Sequence, residues 1–185
     1  YLLKELINLA DIDPYFRRSD MWRNFSVSGF FDDDSISIVK LILVESDKGL
    51  LRGLILELLE NARILESLVL DLEKILLDET IDKYIRKLAG LRISEIIDYD
   101  IKQSIVRLIG IGTESSLDIA ANLIEKSNID SVQYEIILSF LKKCSFLYPS
   151  HNKQGIERVV GKRYFIKSLI SLFNYELVFN LLDDL

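Results

Sequence analysis

The sequence predicts an all-α fold, an α-solenoid of antiparallel helix pairs, and three observations carry that expectation. Punctuation is sparse: Pro14, Pro149 and eight glycines interrupt 185 residues, whereas an all-β chain needs turn signals about every 8 to 12 residues. Hydrophobic residues make up 49% of the chain and mean hydropathy is +0.21. The excess lies in Leu and Ile, which suits tightly packed helices. Finally, the stretch from Asp100 to Leu141 matches itself at an offset of 31 residues: Ile101 falls on Val132, Ile105 on Ile136, Val106 on Ile137 and Ile109 on Phe140. Two helices per unit at a fixed period in the thirties is the pattern of a stacked repeat, in which each unit hides its apolar face only against its neighbours.

From the N-terminus, Leu2, Leu3, Leu6, Ile7 and Leu9 form one helical stripe, broken by Asp11 to Pro14. Tyr15, Phe16, Met21, Trp22 and Phe25 predict a second, aromatic-rich helix, with Asp13 as its N-cap and Pro14 at its first position. With Phe30 and Phe31, these aromatics are expected to pack as core or as a terminal cap. Residues 26–34, with Gly29 and the run Asp32, Asp33 and Asp34, read as a loop, and Asp34 or Ser35 is expected to cap the next helix. Residues 1–34 thus form an N-terminal helix pair and loop, and 35–185 one continuous run of repeats. The dense β-branched stretch Ile36 to Val44 suits a strand or a buried helix; helix is preferred because no partner strand is evident. Leu50 to Leu59 and Ile64 to Leu76, joined by a turn near Asn61, form an antiparallel pair of amphipathic helices, with Arg52, Glu57, Glu60 and Asp71 among the polar residues between apolar ones. Residues 90–99 do not fit the repeat and are expected to make a short linking helix or kink.

Beyond Asp100, Ser116, Leu117, Ile119, Ala120, Leu123 and Ile124 supply the helix between the two matching ones. The residues 149–152 are a polar break, Val159 to Phe173 begins another pair, and Leu177 to Leu185 is a last apolar stripe. Because the chain opens on Tyr1 without Met and ends on the apolar Leu185 without a polar cap, it is expected to be a fragment of a longer polypeptide, whose solenoid either continues or stops there at the end of the longer chain.

Ile111-Gly112, Thr113 and Glu114 in the adjoining turn, and Ser116-Leu117 opening the next helix make Asp100 to Leu141 similar to short HEAT repeats of the HEAT/armadillo class. Those repeats run Asp, Val-Arg, a small-apolar helix, Ile-Gly, a turn, then Ala-Leu. Gly112 can take the left-handed conformation that closes a helix. Asp82, Ile85 and Arg86 match the Asp and Val-Arg element, extending the likeness back to about residue 50. Lys102 and Gln133 stand where the family usually carries Arg, and many small residues are replaced by Ile or Leu. The stretch Leu51 to Arg86 also resembles the helical-repeat region of NACHT/STAND-type bacterial proteins. That resemblance implies a ligand-sensing region attached to a nucleotide-hydrolysing module.

Chemistry-bearing motifs are few. The only histidine, His151, lies in a polar loop, so neither a hydrolytic triad nor a His-based metal site is expected. Gly110-Ile111-Gly112 lacks the third glycine of a dinucleotide-binding turn and comes after a helix, so it reads as a repeat turn. Asp32 to Asp34 lack EF-hand spacing and read as solvated capping carboxylates. The single cysteine, Cys144, lies in an apolar stretch, which predicts a buried thiol and fits a reducing, cytoplasmic compartment. No catalytic residue, cofactor or metal is expected, and charges such as Lys48, Arg52, Glu57 and Glu60 break every apolar run before the ~18 residues of a membrane span.

The net charge of −6 is carried mostly by the first hundred residues. Residues 141–170 are the exception, with Lys142, Lys143, Lys153, Arg158, Lys162, Arg163 and Lys167 against Glu157 alone. Arg158, Lys162 and Arg163 or Lys167 can share a helix side. Lys142, Lys143, Arg158, Lys162, Arg163 and Lys167 are therefore the candidate partner-binding residues. The expected function is a non-catalytic protein–protein interaction scaffold, a sensor or adaptor region whose partner is another protein or a domain of the same chain. Nucleic acid is disfavoured, since it requires many phosphates neutralised together. The competing expectation is a HEAT-like nucleic-acid binder or DNA glycosylase-like enzyme using the basic 142–167 segment.

Overall fold

The computed structural model describes residues 2–12, 31–44, 49–127, 134–147 and 175–184, and among these every regular element is helical. The chain divides into two compact units, Tyr1–Tyr99 and Asp100–Leu185.

The first unit holds α1 (Leu2–Ile12), α2 (Ile36–Val44), α3 (Gly49–Leu58), α4 (Leu65–Leu77) and α5 (Lys83–Ile93). The β-branched run at Ile36 is helical, as expected. Its start is set one residue pair earlier than the sequence suggests: Asp32, not Asp34 or Ser35, is the cap. The Asp32 carboxylate accepts the Ser35 N–H at 3.0 Å, and the Ser35 hydroxyl donates back to the Asp32 carbonyl at 2.6 Å. That reciprocal pair closes a single 3-10 turn, Asp33–Ser35, which runs straight into α2. Phe31 is buried, as a core aromatic should be. The aromatic helix predicted over 14–25 lies outside the described residues.

Asn61 turns the chain between α3 and α4 with a positive φ of 56°, a conformation asparagine tolerates better than most residues. Glu95 Oε2 accepts the Asn61 N–H at 2.9 Å, and Glu95 Oε1 pairs with Arg92 at 3.1 Å. The turn is thereby tied to the segment just after α5.

The helices that meet are not the ones the sequence pairs. α4 packs most extensively on α5, α3 packs on α5, α2 on α4 and α1 on α3, while α3 and α4 share little contact. The expected α3–α4 pair is thus replaced by an α4–α5 pair overlaid by alternate-helix packing. The physical reason is that α3 is buried almost all round, from Leu51 to Leu56 and at Leu58, so its apolar surface serves several neighbours. α5 extends through Ile93, and only turns lie beyond it from Ser94. The linking element expected over 90–99 is therefore the end of α5 through Ile93, followed by turns.

The second unit holds α6 (Ile101–Ile111), α7 (Glu114–Lys126), α8 (Tyr134–Leu147) and α9 (Tyr175–Asp184). Asp100 caps α6, its carboxylate accepting the Lys102 N–H at 3.2 Å. Gly112 closes α6 with φ 71°, its N–H donating to the Leu108 carbonyl, and Thr113 at once caps α7 by accepting the Ser116 N–H at 3.3 Å. With only Gly112 and Thr113 between them, α6 and α7 stay in contact by folding back on each other. An L-residue at the left-handed Gly112 costs roughly 1–2 kcal/mol. Gly112→Ala is expected to lower stability by about 1 kcal/mol, read as a fall in the urea midpoint; an unchanged midpoint would refute the strain.

Burial aligns α6 with α8 at a different offset from the one the apolar letters suggest. At an offset of 31, the half-exposed Val106 would lie on the fully buried Ile137. One residue further, the buried positions coincide: Ile105 with Ile137, Leu108 with Phe140 and Ile109 with Leu141. Apolar letters alone allow either alignment, because Ile and Val occur on both sides of the stripe.

Candidate partner-binding surface

Helix α8 buries Ile137, Phe140, Leu141 and Cys144 on one side, the i, i+3, i+4, i+7 stripe that seats it against α6, α7 and α9. Tyr134 at its start donates to Asp184 of α9 at 2.7 Å. The opposite side carries Glu135, Ser139, Lys142, Lys143 and Phe146, all exposed, with Leu138 at the border. Among the described residues, these six line an open hollow of about 480 Å³. At 100° per residue, Lys142 and Phe146 lie about 20° to either side of the Glu135 line, with Lys143 along one edge of the face and Leu138 along the other.

The structure therefore places two of the six candidate cations, Lys142 and Lys143, side by side on an exposed helix face. Arg158, Lys162, Arg163 and Lys167, like His151, lie outside the described residues. Lys143 has a second neighbourhood: its Nζ stands 3.7 Å from where a Cβ on Gly112 would be, beside the C-terminus of α6. A cation there is favourably placed for the negative end of the helix. Sequence reasoning missed Phe146, which is 87% exposed. The signal was available: Phe146 falls off the buried stripe and lies four residues beyond Lys142.

Cys144 is fully buried, and burial pushes its thiol up to about 12. A neutral, enclosed thiol is a poor nucleophile. Under native conditions, Cys144 is expected to resist a disulfide reagent until the chain unfolds; rapid stoichiometric labelling in the native state would contradict this.

The first unit contains a charged cluster at the C-terminal end of α4. Arg52 is 4% exposed and Arg86 only 1%. Their stems pack among apolar side chains while the guanidinium groups reach the end of α4. Arg86 Nε donates to the Leu76 carbonyl at 3.0 Å, occupying one of the carbonyls a helix leaves open in its last turn. Burial lowers the pKa of both arginines; Glu79 and Asp78 oppose it at Arg86, and Asp78 opposes it at Arg52. Asp78 in turn accepts the Thr80 hydroxyl at 2.6 Å and the Thr80 N–H at 2.9 Å. Those two bonds, with Arg86 and Arg52 nearby, hold its carboxyl below the ordinary 3.8. A carboxyl depressed in the folded state stabilises the fold above its unfolded value, and that contribution disappears as pH falls through the folded value. Asp78→Asn is expected to flatten the acid limb of a stability profile followed by urea midpoints below about pH 5. An identical limb in the variant would show that Asp78 is not linked to folding.

At the start of α5, the Asp82 carboxylate accepts the Tyr84 N–H at 2.8 Å, and the Tyr84 hydroxyl donates to Glu57 of α3. The resemblance element Asp82, Ile85 and Arg86 is thus a cap, a core side chain and the donor to the Leu76 carbonyl in α4's last turn. Among the described residues no cluster of His, Cys, Asp and Glu is arranged to hold a metal ion, and no helix is long and apolar enough to cross a membrane. Comparison with protein-family models, with curated proteins and with solved structures finds no match to this chain.

Proposed function

We propose that this chain is a helical-repeat interaction module, a scaffold that presents a surface to another protein or to a further domain of its own polypeptide, rather than an enzyme. The observation that supports the reading most is the alternate-helix packing. In the first unit α1 lies on α3, α2 on α4 and α3 on α5; in the second, α6 lies on α8. Repeats stack in this way when like helices of successive units form layers. Layering of HEAT-like pairs leaves one row of helices open along a continuous face, which suits recognition by contact. The likeness to sensor regions of NACHT/STAND-type proteins fits the same role.

The test is capture by the immobilised chain, then reconstitution of a saturable binary complex with the purified captured protein. In parallel, duplex DNA is presented at about 50 and 200 mM salt. A protein complex with no tight DNA binding supports the scaffold. Tight DNA binding that collapses at the higher salt, without any protein complex, would instead favour a nucleic-acid function.

A further inference from the structure

Building on the interaction reading, we propose that the α8 hollow formed by Leu138, Lys142, Lys143 and Phe146 is the docking site for an acidic amphipathic helix of a partner protein, one that carries a large apolar anchor.

Charge selects the partner. Lys142 and Lys143 are exposed, and among the described residues neither has a carboxylate within ion-pair distance. They stand on a chain whose net charge is −6. An acidic segment is therefore attracted here and repelled by the first hundred residues, which carry the net negative charge. Glu135 at the opposite end of the face gives the site polarity: the partner's carboxylates belong over the C-terminal half of α8. Among the described lining residues the two cations and one anion are by themselves fewer than the several neutralising contacts that hold a phosphate backbone.

Shape selects the anchor. The hollow of about 480 Å³ falls within the roughly 300–1,000 Å³ of ligand pockets, ample for one large apolar side chain. Leu138, 8% exposed, forms its apolar border, and Phe146, 87% exposed, stands at its end. A large exposed aromatic beside two cations has the makeup of an interface anchor with a charged margin. Because the described lining residues run from Glu135 to Phe146, three turns of α8, a second helix can lie alongside them and insert one apolar side chain per turn.

The probe is a labelled alanine-based helical peptide with a central Phe flanked by glutamates, its binding read by fluorescence anisotropy at low salt. Saturable binding is expected. Lys142→Glu and Phe146→Ala should each weaken it roughly tenfold, and a peptide with lysines in place of the glutamates should regain affinity for Lys142→Glu. Lys142 and Phe146 are chosen because both are exposed, so the helical content should not change; Lys143, at the end of α6, is left intact. Equal binding of the lysine peptide by the unaltered chain would overturn the proposal. So would affinity unmoved by either substitution, tighter binding of duplex DNA than of peptide, or self-association lost in Phe146→Ala with no peptide binding. If the variants still hold the purified partner captured by the unaltered chain, this site falls and the scaffold stands. If the unaltered chain holds neither partner nor peptide, both fall.

Discussion

Phe140→Ala is expected to destabilise the second unit by about 3–5 kcal/mol, the usual penalty for emptying a fully enclosed aromatic site. Phe140 is wholly buried in the middle of the stripe that seats α8 on α6, α7 and α9. Removing the ring deletes both its transfer free energy and the contacts of the atoms around it, since helices in a packed core relax only partly into the gap. Small domains have only about 5–15 kcal/mol of stability, so one substitution removes a large part of it. Cys144 gives a local reading: it is buried one turn further along the same helix. Its labelling should accelerate by two orders of magnitude or more, because each 1.4 kcal/mol is about tenfold in the open population. Labelling at the original rate would mean that Phe140 does not hold α8 in place.

Arg86→Ala should cost the first unit about 2–4 kcal/mol, through two separable losses. The stem leaves a cavity among the neighbours of a side chain that is 1% exposed, and the Leu76 carbonyl loses the Nε–H that satisfies it at 3.0 Å. Arg86→Met separates the two. It restores most of the volume without the donor, and it also relieves the burial of a cation, so its penalty should be the smaller. Hydrogen exchange across α4 and α5 is the measurement, with the last turn of α4 expected to lose protection first. Alanine and wild-type chains within about 0.5 kcal/mol of each other would show Arg86 to be a spectator.

Both predictions concern contacts between residues far apart in sequence, and that is where sequence reading stopped. The helices themselves were legible because their signals are local: the apolar stripes, the Asp82 and Asp100 caps, the Gly112 closure and the Thr113 restart each depend on residues within about one turn. The candidate surface was half legible. Composition revealed the cations, but seeing that Lys142 and Phe146 share a face required knowing that Ile137, Phe140, Leu141 and Cys144 take the other one.

By itself, then, the sequence determined that the chain is helical, where most described helices begin and end, and that each carries an apolar side needing cover. Only the tertiary structure decided which sides cover which: α5 rather than α3 as the main partner of α4, buried positions of α6 and α8 that align one residue further apart than the apolar letters suggest, and arginines at 52 and 86 drawn into the interior. The reason is physical. Periodicity reports that a face is apolar but carries no address for its complement, and a long amphipathic side chain such as arginine is committed to water or to core only by the neighbours it finds.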